Sequence, residues 1–159
     1  MRRYYYHYEI IGVLFALCAS YIGGQLTRPA LEIGYYDTLI KSSLNPPEIT
    51  FPIVWTILFI LMGIGIGRIW HSVDSFVHTP FETGLFFTQL GFNILWSYLF
   101  FSLKQPTLSF FEIIPLFLLV VFIVIQYAKT DRIAGLCYLP YAIWVGFASY
   151  LNYFIVMNN

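Results

Sequence analysis

Charged side chains are scarce in this sequence. Lys, Arg, Asp and Glu make up 10% of its 159 residues, whereas an ordinary globular domain has about 25%. The charges leave five uncharged runs of 16 to 27 residues, which cover 10–27, 49–67, 83–103, 113–128 and 133–159. A soluble domain of this size would then have much of its surface without groups that water can solvate. The scarcity of charge therefore indicates a membrane protein.

Other features that are missing exclude several kinds of function. The formal net charge is zero, so nothing predicts a nucleic-acid partner. Both cysteines fall inside apolar runs, where they are typical packing residues rather than a disulfide framework. The three histidines lie outside the predicted helices, and no His, Cys and carboxylate cluster has metal-ligand spacing. We therefore expect no metal site and no acid–base catalytic centre.

The uncharged runs predict an all-α fold, an integral membrane bundle of five transmembrane helices that forms a single domain over 1–159. About 20 helical residues cross a 30 Å hydrocarbon layer. The 113–128 run is short, so its helix has to begin near Ser109, which places Glu112 near an interface or inside the bundle. Because the first run continues to Thr27, we expect a retained first helix rather than a cleaved signal peptide. The predicted helices cover about 9–27, 50–70, 82–103, 109–128 and 133–156.

The long connection over 28–49 is predicted to be an ordered loop that closes a pocket. Adjacent prolines, Pro46 and Pro47, disfavour helix in the residues before them, which leaves at most a short helical turn.

The distribution of Lys and Arg predicts the orientation in the membrane. Five of these residues lie on the N-terminal side of the membrane and three on the loop side, and the side with more of them is usually cytoplasmic. We therefore predict a bacterial inner-membrane protein with a cytoplasmic N terminus.

Small residues form two stripes that favour close helix packing. One stripe repeats every four positions along the first helix, and Gly63 and Gly67 form a GxxxG pair on the second. The stripes fit two interpretations, contact within one bundle or the seam of a homodimer. The first stripe consists of Gly12, Ala16, Ser20 and Gly24.

Amides and aromatic side chains share faces on three predicted helices. On the third helix Gln89, Asn93 and Ser97 lie four residues apart and so on one face, with Trp96 beside it. Amides without partners are costly in hydrocarbon, so this face is expected to look into the bundle. Two interpretations stay open, packing between neighbouring helices or a shared pocket for a planar, mostly apolar ligand. The matching faces are Trp55 and Phe59 on the second helix, and Tyr141, Trp144, Ala148 and Asn152 on the fifth.

Three ordered motifs resemble those of the translocator protein family, which includes the bacterial tryptophan-rich sensory proteins and the mitochondrial peripheral benzodiazepine receptor. The first runs from Asn45-Pro46-Pro47 through Phe51-Pro52-Ile53-Val54-Trp55 to Phe59 and Met62-Gly63. The second is Gln89-Leu90-Gly91-Phe92-Asn93-Ile94-Leu95-Trp96-Ser97 with Phe100-Phe101. The third runs from Pro140-Tyr141-Ala142-Ile143-Trp144 through Ala148 to Leu151-Asn152. The resemblance covers about 35–157.

The resemblance implies a five-helix bundle, often dimeric, that binds porphyrins and synthetic aromatic ligands and requires no cofactor. It places eight residues in or near the pocket: Tyr36, Pro47, Trp55, Phe59, Asn93, Trp96, Trp144 and Ala148. The face argument adds Gln89 and Asn152. The loop departs from the family pattern, since Lys41-Ser42-Ser43-Leu44 stands where the family has Lys-Pro and a following Trp. No basic residue follows Tyr153, so the sterol motif of eukaryotic members is incomplete and we predict no sterol recognition through it.

Three functions follow as hypotheses. The first is a receptor or transport-type protein that binds porphyrins in the pocket. The second is an enzyme that degrades porphyrin with light and oxygen, with Trp55 and Trp144 as oxidisable partners. The third is a structural membrane protein whose small-residue stripes mediate assembly.

Overall fold

The computed structural model describes residues 6–75 and 77–159. Within those residues the chain forms five long α-helices and no β-strand. A 3₁₀ turn covers Tyr36–Thr38, and a π-helical turn, Tyr98–Ser102, continues the third helix. The helices are α1, His7–Glu32; α2, Thr50–Ser72; α3, Pro80–Ser97; α4, Pro106–Thr130; and α5, Arg132–Asn158.

The five helices in this part of the chain are long and apolar enough to span a bilayer, counting α3 together with the π-helical turn. This confirms the predicted all-α transmembrane bundle. The number of helices follows from the uncharged runs, because a backbone inside hydrocarbon has to satisfy its own hydrogen bonds and a helix does so within one segment.

Two helix ends differ from the predicted ones, the end of α1 and the beginning of α4. In both cases the helix extends beyond the uncharged run on which the prediction was based. α1 extends to Glu32 and contains Pro29, so the first loop covers 33–49 rather than 28–49. An ion pair between Arg28 and Glu32 at 2.8 Å supports this last turn. The helix ends before Gly34, whose φ of 70° is readily adopted by glycine. α4 begins at Pro106 instead of Ser109, because proline in the first turn of a helix loses no hydrogen bond.

Each helix packs mainly against two others, in the circular order α1, α2, α5, α4, α3 and back to α1. Side chains from all five helices form the core, and most of them belong to α2, α4 and α5. Asp131 joins the α4–α5 corner to α2, since its carboxylate accepts from Arg68 at 2.7 Å and from the backbone N–H groups of Ile133 and Ala134. Burial by itself would raise the pKa of Asp131, but these hydrogen bonds lower it below its ordinary value.

The GxxxG pair packs within the chain. A Cβ atom on Gly63 would collide with the backbone of Val13, and one on Gly67 would collide with the backbone of Glu9. The two helices therefore approach as closely as their backbones allow. On the α1 stripe, Gly12 and Ala16 are buried whereas Gly24 is exposed. Gly63 and Gly67 of α2 therefore pack against α1 of the same chain. The homodimer stays a prediction.

The first loop is tied to the C-terminal end of α5. The backbone N–H of Ile40 donates to Oδ1 of Asn159 at 2.9 Å, and Nδ2 of Asn159 donates to the carbonyl of Ile40 at 3.2 Å. Ser42 Oγ and Tyr150 Oη share a further hydrogen bond of 3.2 Å. We call this end of the bundle the loop end. Arg2 and Arg3, which decide the predicted orientation, lie outside the described residues, so the orientation stays a prediction.

Candidate ligand-binding cavity

A cavity of about 390 Å³ lies at the loop end, between α1, α2, α3, α5 and the first loop. Its volume falls within the range of ligand pockets, which is about 300–1,000 Å³. Most of its wall is apolar, and eight of the lining residues are aromatic. The aromatic residues that line it are Tyr36, Phe51, Trp55, Phe59, Trp96, Phe100, Phe101 and Trp144.

Eight of the ten predicted site residues line this one cavity. They are Tyr36, Trp55, Phe59, Asn93, Trp96, Trp144, Ala148 and Asn152. Faces identified separately on α2, α3 and α5 therefore meet around a shared space. That these residues bind a ligand stays a prediction, and the geometry that the prediction requires is present.

Pro47 lies outside the cavity wall. Its carbonyl accepts the backbone N–H of Thr50 at 2.9 Å and so forms the turn that leads into α2, while its ring is exposed. Pro47 precedes the pocket motif in the sequence because it forms the turn that begins α2. Pro47 therefore lies next to the cavity rather than in its wall, and its part in ligand binding stays a prediction.

Gln89 is buried but does not reach the cavity. It shares a face with Asn93, as predicted, but lies one helical turn, about 6 Å, farther from the loop end. Its side chain is 0% exposed, and neither amide atom has a hydrogen-bond partner among the described residues. A shared helix face fixes the direction of a side chain and not its depth, so Gln89 lies outside the cavity wall, and its part in ligand binding stays a prediction.

The indole rings of α2 and α5 meet at one side of the cavity. The ring centroids of Trp55 and Trp144 lie 6.5 Å apart, with an angle of 89° between the planes. Phe51 contacts Trp144 and Phe59 contacts Trp55, with centroids 6.0 Å and 5.8 Å apart. The two contacts of Trp144 are edge-to-face and the contact of Trp55 with Phe59 is tilted, and such arrangements stabilise an aromatic wall while leaving ring faces for a flat ligand.

On the opposite side, Trp96 stacks on Phe100, with centroids 5.1 Å apart and an angle of 22° between the planes. Phe100 belongs to the π-helical turn, as does Phe101, and both line the cavity. Wider turns of this kind occur often at functional sites. The sequence predicted a single helix over 82–103 and gave no sign of this turn.

Comparison with known proteins identifies the family. The profile of the TspO/MBR family matches residues 11–157. The tryptophan-rich protein TspO of Chlorobaculum tepidum is 36% identical over 143 residues, which is 90% of each chain. The chain belongs to the TspO/MBR family. Other relatives in the family are the protein CrtK of Rhodobacter capsulatus, 32% identical over 94% of this chain and 92% of its own, and the translocator protein of Sus scrofa, 28% identical over 91% and 88%.

Membership of the TspO/MBR family, together with the five apolar helices, makes this chain an integral membrane protein of the translocator and tryptophan-rich sensory type. The predicted family is thereby confirmed. The relatives' sequences align along nearly their whole length, so the match covers the cavity as well as the bundle.

In this TspO/MBR protein, two of the three predicted amides, Asn93 and Asn152, form hydrogen bonds with other side chains. Asn93 Nδ2 donates to the hydroxyl of Tyr141 at 3.1 Å. Asn152 Oδ1 accepts from Trp96 Nε1 at 3.1 Å and from Ser109 Oγ at 3.0 Å, and its Nδ2 donates to the carbonyl of Pro106 at 2.9 Å. Asn152 therefore positions Trp96 and joins α5 to the start of α4.

We expect Asn152→Leu to lower stability and loosen Trp96. The change leaves the half-buried indole N–H of Trp96 without its acceptor, at a cost of about 1–3 kcal/mol, whereas Ser109 Oγ still donates to the carbonyl of Pro106 at 2.8 Å. Thermal unfolding in detergent measures the loss. Asn158→Leu is the matched control, because Asn158 lies on the same helix and its exposed amide bonds only the backbone of Phe154. Equal transition temperatures for the two variants would contradict the role given to Asn152.

Tyr36 closes the cavity from the loop. Its hydroxyl donates to Asn45 Oδ1 at 2.8 Å, and Lys41 lies over its ring with Nζ 4.4 Å from the centroid. Burial raises the pKa of the Tyr36 hydroxyl, the hydrogen bond to Asn45 opposes that rise, and Glu48 adds to it. A tyrosine hydroxyl is already protonated at neutral pH, and the raised pKa means that Tyr36 remains a donor to Asn45 at more alkaline pH than an exposed tyrosine would.

The cavity also includes a wall that the sequence did not predict. Ser20, Gly23, Gly24 and Thr27 of α1 line it, as do Arg28 and, from the loop, Glu48. In the sequence, the small residues of α1 indicate only close helix packing, because they lack the aromatic and amide groups that indicate a binding site.

Glu112 was predicted to lie near an interface or inside the bundle. The structure places it inside the bundle, where it is buried.

Proposed function

We propose that this protein is a receptor or transport-type membrane protein that binds porphyrins and related flat aromatic ligands in the cavity. One observation carries the proposal: Trp55, Trp96 and Trp144, from three different helices, converge on a single cavity of about 390 Å³. Large rigid rings with few polar groups suit a planar ligand whose faces are apolar. The proposal needs no cofactor.

A polar group on the wall adds support. Trp144 Nε1 is buried, and it has no acceptor among residues 6–75 and 77–159. Buried donors are almost always paired in proteins, and a small rotation of the Trp144 indole would bring this one to an acceptor on a bound ligand. Trp96 Nε1, in contrast, already donates to Asn152. The wall also has donors in Ser20 and Arg28 beside its apolar ring faces.

Titration in the dark tests the proposal. Protein in lipid nanodiscs is titrated with protoporphyrin while tryptophan fluorescence and porphyrin absorbance are followed, with empty nanodiscs as control. We expect saturable binding at one porphyrin per chain. A signal that rises without saturation, as in empty nanodiscs, would mean that porphyrin only partitions into lipid, and the proposal would be wrong.

A second function is favoured by one observation, the contact between the oxidisable rings of Trp55 and Trp144 at the cavity wall. In that function the protein degrades bound porphyrin with light and molecular oxygen. The same samples, illuminated in air, distinguish the two. Consumption of many porphyrin molecules per chain, lost in Trp→Phe variants that still bind, supports degradation, whereas binding without consumption supports the receptor or transport function.

A further inference from the structure

The cavity opens to one side of the bundle. Residues that line the cavity and are also exposed on the outside of the protein mark this opening. All six belong to α1, the end of the first loop or α2, while the lining residues of α3, the π-helical turn and α5 that the structure describes are buried or half-buried. The six are Gly24, Arg28, Leu31, Glu48, Pro52 and Thr56.

The opening arises because α1 and α2 touch at one end and separate at the other. Near the N-terminal end their backbones meet at Gly12 and Gly63. Toward the loop end, a Cβ atom on Gly24 would meet no described atom within 4 Å. Two helices that are in contact at one end and apart at the other enclose a cleft, which we call the α1–α2 cleft.

Hydrogen bonds hold neighbouring elements together on two other sides of the cavity. At the loop end, Ile40 is bonded to Asn159 and Ser42 to Tyr150. Between α1 and the π-helical turn, Ser102 Oγ donates to the carbonyl of Leu26 at 2.9 Å. The α1–α2 cleft is therefore the open side of the cavity in the described part of the chain.

The helix lengths place the cleft between the membrane interface and the lipid. Gly24 lies four residues from Arg28, about 6 Å along the axis of α1, and Thr56 lies six residues into α2, about 9 Å. The charges that border the cleft, Arg28 and Glu48, lie at its interface end. Thr56 Oγ1 donates to the carbonyl of Pro52 at 2.7 Å, so its hydroxyl can face hydrocarbon without an unpaired donor.

We infer that the α1–α2 cleft is a portal through which the ligand passes sideways between the bilayer and the cavity. The inference rests on the proposed function, because it concerns how that ligand arrives. It narrows the ligand class to flat molecules that partition into membranes. A ligand that reaches the cavity only from water would have to displace the hydrogen-bonded loop instead.

Association kinetics test the portal. Gly24→Trp places a large side chain in the cleft, and in nanodiscs we expect its association rate constant for protoporphyrin to fall about tenfold. Gly91→Trp is the matched control, because Gly91 is an exposed helical glycine on α3 where an added Cβ also meets no described atom within 4 Å. Asn159→Ala frees the loop, and entry through the portal predicts an unchanged rate. An unchanged rate in Gly24→Trp, or faster entry in Asn159→Ala, would overturn the inference.

A second measurement does not depend on porphyrin binding. In a chain with Cys18→Ala and Cys137→Ala, Ala148→Cys places a thiol in the cavity wall. Pyrene maleimide added in the lipid is expected to label this thiol, and Gly24→Trp is expected to slow the labelling about tenfold. Equal labelling rates would overturn the portal. If the wild-type protein binds no porphyrin but labelling is slowed, the proposed function fails and the portal stands.

Discussion

Gly63→Leu is expected to prevent the five-helix bundle from forming. The added side chain has to displace the backbone of Val13, because a Cβ atom at Gly63 would collide with its Cα and N atoms. A flexible side chain would yield to such a change, but a helix backbone yields only if α1 and α2 separate. Overpacking of a core usually costs about 1–3 kcal/mol, and a collision with backbone is expected to cost at least about 3 kcal/mol.

The same variant distinguishes contact within the bundle from a homodimer seam. Gly91→Leu is the control, since it makes the same change on an exposed face of α3. We expect Gly63→Leu to lose its thermal transition and to aggregate in detergent, while Gly91→Leu unfolds like the wild type. A Gly63→Leu protein that is folded, monomeric and still binds porphyrin would show that the glycine pair serves assembly between chains.

The double variant Trp55→Ala and Trp144→Ala is expected to lower porphyrin affinity about 100-fold. Stacking of a flat heterocycle on an aromatic side chain is worth about 1–3 kcal/mol by alanine substitution. Two such contacts give about 2–6 kcal/mol. A 100-fold loss is about 2.8 kcal/mol, which lies within this range, since each 1.4 kcal/mol is a factor of ten in affinity. The measurement is porphyrin absorbance, which does not depend on the number of tryptophans.

The control for this pair is another tryptophan on the same helix. Trp70 is buried outside the cavity, where its Nε1 donates to Thr83 Oγ1 at 2.8 Å. Trp70→Phe is therefore expected to leave porphyrin affinity unchanged. The more conservative pair, Trp55→Phe with Trp144→Phe, keeps an aromatic ring at each position and is expected to lose about tenfold. Wild-type affinity in both double variants would mean that the cavity is not the binding site.

The fold was predictable because one physical constraint dominates it. Hydrocarbon requires long uncharged helices, and the uncharged runs show directly how many there are. The helix ends were less predictable, since a helix continues into the interface after its apolar run is over. Arg28 and Pro29 mark the end of the run in the sequence, yet α1 continues to Glu32.

The sequence predicted the helix face on which the site residues lie, but not how far along each helix the cavity extends. Spacing by four residues correctly grouped Asn93 with Gln89, but only the packed bundle shows that the cavity ends before Gln89. The part played by α1 was missed because Gly23 and Gly24 contribute space rather than chemistry. Likewise, the hydrogen bonds of Asn152 to Ser109 and Pro106 depend on a pairing of α4 with α5 that no single helix specifies.

A structure of the protein with protoporphyrin bound tests the central claim most directly. The account predicts the macrocycle inside the bundle, with its faces against Trp55, Trp96 and Trp144 and one edge toward the α1–α2 cleft. A macrocycle bound on the outer, lipid-facing surface of the helices, with the three indoles unchanged and out of contact, would contradict it.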